Sequence, residues 1–404
     1  MNFEEAVDYL FGLGHEILTL KLGLRNTELL LQSLGNPERT FRAVQIAGTN
    51  GKGSTAVMLD SICRAAGIKT GLYTSPHLVS ITERIRIDGH EISEEDFGLY
   101  TTIVRDASQR LLDTGEIEAL PTFFEHVTAI ALLAFREAEI GLAILETGMG
   151  GRLDSTTAAG ASIVAITQIA MDHEQYLGDT IERIASEKAA IIRPGVKAII
   201  GKQHHPEALS VLLQRCEETG VQPIFAMPGS EPVRIGLRGR HQLENAAIAI
   251  AVAESLSISH AAILSGLETA SHPGRLELVA NEPEILLDGA HNPACAEALR
   301  DYLIEFGRRP LTIVFAAMSD KQLDRIGQTL FPLADNLILT TLDNLRAASL
   351  ETLEAIAAQF ATGSITKSKT IPDAVESARR ITPPQGMICV TGSLYLIGEW
   401  KKET

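Results

Sequence analysis

A glycine-rich loop joins a strand to a helix in AVQIAGTNGKGSTAVMLDSICRAAG, Ala43–Gly67. No other feature restricts the fold as much. A loop of this kind belongs at the carboxyl edge of a parallel sheet, where it meets the next helix. Gly48, Gly51 and Gly53 let the backbone curl so that successive N–H groups face an anion. The helix, expected to begin near Ser54, adds its positive end. Lys52 supplies a point charge for the outer phosphates. The residue after Lys52 is Gly53, where the common phosphate loop carries a metal-binding Ser or Thr. A metal at this site must therefore take ligands from elsewhere.

The rest of the chain keeps the same rhythm. The runs KTGLYTS, IGLAILE and ASIVAITQ read as strands, and PTFFEHVTAIALLAFREA and TIERIASEKAAII read as helices. ITERIRIDGHEI carries an Asp88-Gly89 hairpin signal. The alternation predicts an α/β protein with a mostly parallel sheet covered on both faces. Near SHPGRLELVANEPEILLDGAHNP the pattern restarts, with two strands, a helix near 292–306, the strand LTIVFAA and a last strand–helix pair MICVTGSLYLIGEW. This places a boundary near residue 277. With 404 residues, two domains are expected, and 45% hydrophobic residues provide their cores.

Charge narrows the partners. A net charge of −16 argues against a broad nucleic-acid surface, which needs clustered Lys and Arg. A local pocket can still attract an anionic small substrate. No apolar run is long enough for a membrane span, and MNFEEAVDYL is unlike a signal or transit peptide. A cytoplasmic protein is expected. Cys63, Cys216, Cys295 and Cys389 lack metal-ligand or disulfide-framework spacing and read as reduced thiols.

Several polar residues fall at strand ends. Glu146 closes IGLAILE, where a carboxylate is costly unless it coordinates, pairs or caps the Gly148–Gly151 turn. Ser75 ends KTGLYT, and His173 follows ASIVAITQIAMD. Arg275 sits in a Pro-Gly context at the domain boundary, suited to clamp a phosphate. Arg84 and Arg86 either attract an anionic substrate tail or form solvated cross-strand pairs.

The loop GTNGKGS resembles that of the Mur-ligase superfamily, and most closely the folylpolyglutamate synthases. TSPHL, LETGMGGRLD, MDH, SEKAAIIRPG, HQLENA, HPGRLE, DGAHNP and TGSLY resemble that family's other blocks, in the family's order, over about residues 20–397. The resemblance implies an N-terminal P-loop ATPase domain, residues 1–276, and a smaller Rossmann-like glutamate-ligase domain, residues 277–404. It implies ATP held by Gly48, Thr49, Asn50, Gly51, Lys52, Gly53, Ser54, Asn245, Arg275 and Asp288. Two Mg²⁺ ions would be coordinated through Ser75, Glu146 and His173. Lys52, His173 and Lys188 are its catalytic set, with Lys188 in the block where members carry an N6-carboxylysine; on residue type alone Lys188 is a solvated helix lysine. Asn245 is a nucleotide contact or a helix-start cap. His291 and Ser393 lie on the glutamate side or act as caps.

A pterin-bearing substrate would meet Leu22, Gly23 and Leu24, then Thr122, Phe123, Phe124 and Glu125, and finally Leu153, Asp154 and Ser155. Phe123 and Phe124 offer flat faces to a pteridine or belong to the core of an apolar helix. The activity implied is ATP-dependent addition of L-glutamate to folates, together with dihydrofolate formation from dihydropteroate, in a monomer. Lys21 stands where some dihydrofolate-forming members have an acid, which bears on the second activity. The alternatives are another Mur-type amide ligase, such as a cell-wall peptide ligase, and a non-enzymatic nucleotide-binding regulator.

Overall fold

The computed structural model describes residues 1–14, 23–229 and 233–403. Leu22 and Lys21 lie outside the described residues. The chain forms two compact units, one of residues 1–236 and 244–270 and the other of residues 237–243 and 271–404.

The first unit is built on an eight-stranded sheet of β1 (Arg42–Ala47), β2 (Thr70–Tyr73), β3 (Ile85–Ile87), β4 (His90–Glu91), β5 (Leu142–Glu146), β6 (Ile163–Ile166), β7 (Lys197–Gly201) and β8 (Ile224–Ala226). Its order is β4-β3-β2-β5-β1-β6-β7-β8. The strands from β2 to β8 run parallel, and β3 and β4 form an antiparallel edge hairpin. Every residue of β2, β5 and β6 is buried, as expected of a parallel sheet with helices on both faces. Asp88 (φ 51°) and Gly89 (φ 84°) are both left-handed, the backbone a two-residue hairpin turn requires.

One face is covered by helices Phe3–Gly12, Glu94–Asp113 and Phe123–Glu137, whose Leu10, Val104, Val127 and Ile130 join Leu145 and Tyr73 in a single core. Further along the same face, helices Ile181–Ala189 and Pro206–Thr219 pack against Val164, Ile166 and Ile200, which the strand register aligns with Leu145 and Tyr73. Burying each such Leu, Ile or Val contributes roughly 1.5–3 kcal/mol. The glycine loop is thereby fixed to a rigid sheet edge.

The second unit has a six-stranded sheet of β9 (Glu277–Asn281), β10 (Glu284–Asp288), β11 (Leu311–Phe315), β12 (Asn336–Leu339), β13 (Ser364–Lys367) and β14 (Met387–Thr391), in the order β13-β12-β11-β14-β10-β9. Only β9 is antiparallel to its neighbour. The helix expected near 292–306 is Pro293–Phe306, with Pro293 at its first turn and Asn292 accepting from the Cys295 N–H at 3.0 Å.

Candidate active site

The phosphate loop leaves β1 at Gly48, whose φ is 147°; a Cβ there would lie 1.8 Å from Thr167 Oγ1. Only glycine fits. The next residues are braced, because the Thr49 and Asn50 N–H groups both donate to Gln168 O, at 2.9 and 3.2 Å. The Thr49 hydroxyl donates to Ala170 O and accepts from Ala170 N. The first half of the loop thus spends its donors on the segment after β6, and the sequence reading of an unbroken run of inward N–H groups is corrected. Gly51, left-handed at φ 86°, caps a helix that starts at Lys52, earlier than expected. The anion-facing donors are therefore those of the helix's first turn, which have no intrahelical acceptor. Lys52 Nζ folds back to Thr49 O at 3.2 Å.

Two lysines converge on this loop. Lys188 is 4% exposed, and its Nζ donates to Gly48 O at 2.7 Å. Burial, and then the charge of Lys52, lower its pKa to about 7, with Asp172, Asp154 and Glu187 opposing. The solvated helix lysine suggested by residue type is thus excluded. Asn245 lies inside the helix Gln242–Ser255 rather than capping it, and a Cβ on Gly51 would come within 2.0 Å of its Oδ1.

Glu146, 5% exposed, closes β5, and its Oε2 accepts the Ser75 N–H at 3.1 Å. The turn that Glu146 was a candidate to cap is held by a different acid. Asp154 accepts from Gly148 N (2.8 Å), Met149 N (3.0 Å) and Thr156 N (3.1 Å). Burial raises the Asp154 pKa against these hydrogen bonds. His173 is left-handed at φ 51°, opens the short helix Glu174–Leu177, and sets its Nε2 4.0 Å from Asp172 Oδ2. The structure therefore joins Ser75 with Glu146, and His173 with Asp172. Among the described residues, no group of three His, Cys, Asp or Glu is arranged to hold a metal ion. A hard cation that keeps most of its waters needs only a buried carboxylate and a neighbouring hydroxyl, and Glu146 and Ser75 fit that demand. Asp172 was missed from the sequence, although it precedes His173 at a strand exit.

Thr122 and Glu125 form a reciprocal cap, with Glu125 Oε2 accepting the Thr122 N–H at 2.7 Å. Glu125 Oε1 takes the Thr27 hydroxyl at 3.1 Å, so both its oxygens are engaged within the fold. The two phenylalanines separate. Phe123 is 1% exposed and lies in the core, with Arg84 5.4 Å above its ring. Phe124 is half-buried and packs over Gly148, 5.8 Å from Tyr73. Ser155 is buried, 2.6 Å from the Thr128 hydroxyl. Of the expected pterin contacts, Gly23, Leu24, Thr122, Phe124 and Leu153 keep partial exposure. Arg84 is not a solvated cross-strand charge: it is 2% exposed and its Nε donates to His77 Nδ1 at 2.8 Å. Arg86 does pair across the strands, 3.7 Å from Glu91.

In the second unit Asp288 closes β10 and accepts from Leu276 N (2.9 Å) and Ala290 N (3.0 Å); burial raises its pKa while Arg275 opposes. Arg275 Nη1 donates to Gly289 O at 3.4 Å, and His291 Nδ1 donates to the same oxygen at 2.7 Å. His291 is not a cap. Ser393 is one, accepting the Tyr395 N–H at the start of helix Leu394–Lys402.

Residues 46–204 match the Mur ligase middle domain, and residues 274–394 match the Mur ligase, glutamate ligase domain. The chain is 33% identical to a probable bifunctional folylpolyglutamate synthase/dihydropteroate synthase of Haloferax volcanii, over 99% of this chain and 50% of the relative. It thus spans about half the length of that protein. It is 34% identical to the dihydrofolate synthase/folylpolyglutamate synthase of Bacillus subtilis, over 95% of each. The crystal structure of Mycobacterium tuberculosis folylpolyglutamate synthase complexed with ADP and AMPPCP superposes with a TM-score of 0.88 at 32% identity, covering 98% of both chains.

Proposed function

Because the chain belongs to the folylpolyglutamate synthase/dihydrofolate synthase family of Mur-type ligases, we propose that it joins L-glutamate to a folate or dihydropteroate carboxylate at the expense of ATP. The observation that carries this reading is the convergence of Lys52 and Lys188 on a glycine loop beside the Glu146–Ser75 pair. Residues 1–276 then form the ATP-binding domain and residues 277–404 the glutamate-ligase domain of a cytoplasmic monomer.

The acceptor's carboxylate oxygen attacks the γ-phosphorus, the β–γ bridging bond breaks, and ADP leaves. The resulting acyl phosphate is a good electrophile, whereas a carboxylate is a poor one. The neutral glutamate amine attacks its carbonyl carbon, and inorganic phosphate departs with the acceptor's oxygen and takes up the proton that the nitrogen loses. The first turn after Gly51 and the Lys52 ammonium face the charge that builds on the transferring group. Mg²⁺ would be held by Glu146, Ser75 and His173, and supplies charge neutralisation at the phosphates. Lys188, half neutral near pH 7, can react through its neutral amine with carbon dioxide, releasing a proton to give the N6-carboxylysine, which puts a carboxylate where the ammonium would be. Arg275 and Asp288 would contact the nucleotide, His291 and Ser393 the glutamate, and Gly23, Leu24, Phe124 and Leu153 the pterin.

The test mixes enzyme, ATP, Mg²⁺ and L-glutamate with dihydropteroate, tetrahydrofolate or a UDP-linked peptide precursor, and follows phosphate release and product mass. Glutamylated folate with one phosphate per glutamate is expected. Release with the UDP precursor alone, or with no acceptor at all, overturns the reading.

A further inference from the structure

The helix Gln242–Ser255 runs beside β7 and carries Asn245 under the phosphate loop. Three contacts within the first unit fix where along β7 it sits. Ile248 closes on Gly201, where a Cβ would lie 2.4 Å from Ile248 Cδ1. Lys197 Nζ reaches Ser255 O at 3.3 Å at the far end. At the near end Glu244 accepts from two side chains of the segment after β7: Lys202 Nζ at 2.8 Å on Oε1 and His204 Nε2 at 3.0 Å on Oε2. Glu244 and Ile248 are four residues apart and share a helix face, so one face is registered to the end of β7. The neighbouring residue, Asn245, reaches Gly51.

Glu244 is also where the chain re-enters the first unit after residues 237–243. Burial alone would raise the Glu244 pKa, yet the hydrogen bonds and charges of Lys202 and His204 hold it below the ordinary value. Lys202 and His204 remain 43% and 44% exposed along their side chains. Exposed pairs of this kind add little to global stability. Their effect is geometric, because the Asn245 side chain lies against Gly51, in the space a Cβ there would occupy, and moves with the helix.

We propose that Glu244, gripped by Lys202 and His204, is a positioning residue for the nucleotide loop: it sets the register of the helix Gln242–Ser255 so that Asn245 supports Gly51. This rests on the loop's being a nucleotide site, as proposed above.

The experiment is ADP titration by calorimetry in the presence of magnesium on the full chain, paired with ATP kinetics and thermal melting. Glu244→Ala is expected to weaken ADP and raise the ATP KM by on the order of tenfold to a hundredfold, the cost of a misplacement near 1 Å, with a much smaller change in kcat and a melting temperature close to that of the parent. Lys202→Met keeps the test open if the first variant folds poorly, with the same direction expected. The charge-swapped pair Lys202→Glu with Glu244→Lys is expected to recover much of the affinity that Glu244→Lys alone loses. Unchanged ADP affinity in Glu244→Ala, or a loss matched by an equal loss of thermal stability and no recovery in the swapped pair, overturns the proposal. If the parent protein binds no ADP, the nucleotide reading falls with it; if the parent binds and the variants bind equally, only the positioning role falls.

Discussion

Replacing Lys188 by methionine is expected to make the protein more stable and less active at the same time. The folded chain holds this amine at a pKa of about 7, against 10.5 for the ordinary group. Between pH 7 and 10.5 the unfolded chain binds a proton that the folded chain does not, so stability rises with pH across that window. Below pH 7 both states are protonated and the slope vanishes. At neutral pH the folded state carries nearly the whole penalty, a few kcal/mol on the order of 1.4 kcal/mol per pKa unit. Methionine is close in volume and removes that penalty, but leaves Gly48 O without the donor it has at 2.7 Å, a loss of about 1–1.5 kcal/mol. The net gain at pH 7 is about 2–3 kcal/mol, or roughly 4–12 °C in melting temperature for a unit of this size. Calorimetric melts of both proteins from pH 6.5 to 10 check this. The difference should shrink as pH rises, and high bicarbonate should flatten the parent's slope if the amine is carbamylated. Parallel pH profiles for the two proteins would refute the reasoning.

Gly48→Ala forces a Cβ to 1.8 Å from Thr167 Oγ1; overpacking of about 1–3 kcal/mol should move the loop and weaken ADP in a binding titration, and unchanged affinity would contradict the close fit. Asp154→Asn turns an amide donor toward N–H groups that the carboxylate now accepts, so melts should show a loss of about 1–3 kcal/mol; a rise in pterin KM with no stability loss would make Asp154 a substrate contact instead. Phe123→Ala should cost about 3–5 kcal/mol in denaturant unfolding, whereas Phe124→Ala should chiefly raise the acceptor's KM in steady-state assays; equal behaviour of the two would remove the distinction drawn from their burial.

Elements with a strong local signal were legible. The place of the glycine loop between a strand and a helix, the strand end at Glu146 and the Asp88-Gly89 turn depend on neighbours in sequence, and the structure places them as read, while Ser75 lies two residues past the end of β2. What escaped depends on partners far along the chain. Thr49 and Asn50 donate to Gln168, more than a hundred residues away, so their absence from the anion-facing set has no local mark. Lys188 sits in an amphipathic helix with acids beside it and reads as solvated; only packing against Gly48 reveals it as buried. Glu146 and Asp154 are both acids flanking one turn, and which of them holds it is decided by the path of the loop. Phe123 and Phe124 are adjacent on a helix and necessarily face different directions, but the direction of the core is a tertiary fact.

In the proposed reaction the acceptor's carboxylate is phosphorylated before glutamate attacks. The most direct measurement uses tetrahydrofolate labelled with ¹⁸O in the reacting carboxyl group and reads the released phosphate by mass spectrometry. With the reaction held to a single addition, one labelled oxygen is expected in the phosphate released for each glutamate joined. Unlabelled phosphate accompanying the singly glutamylated product would contradict it.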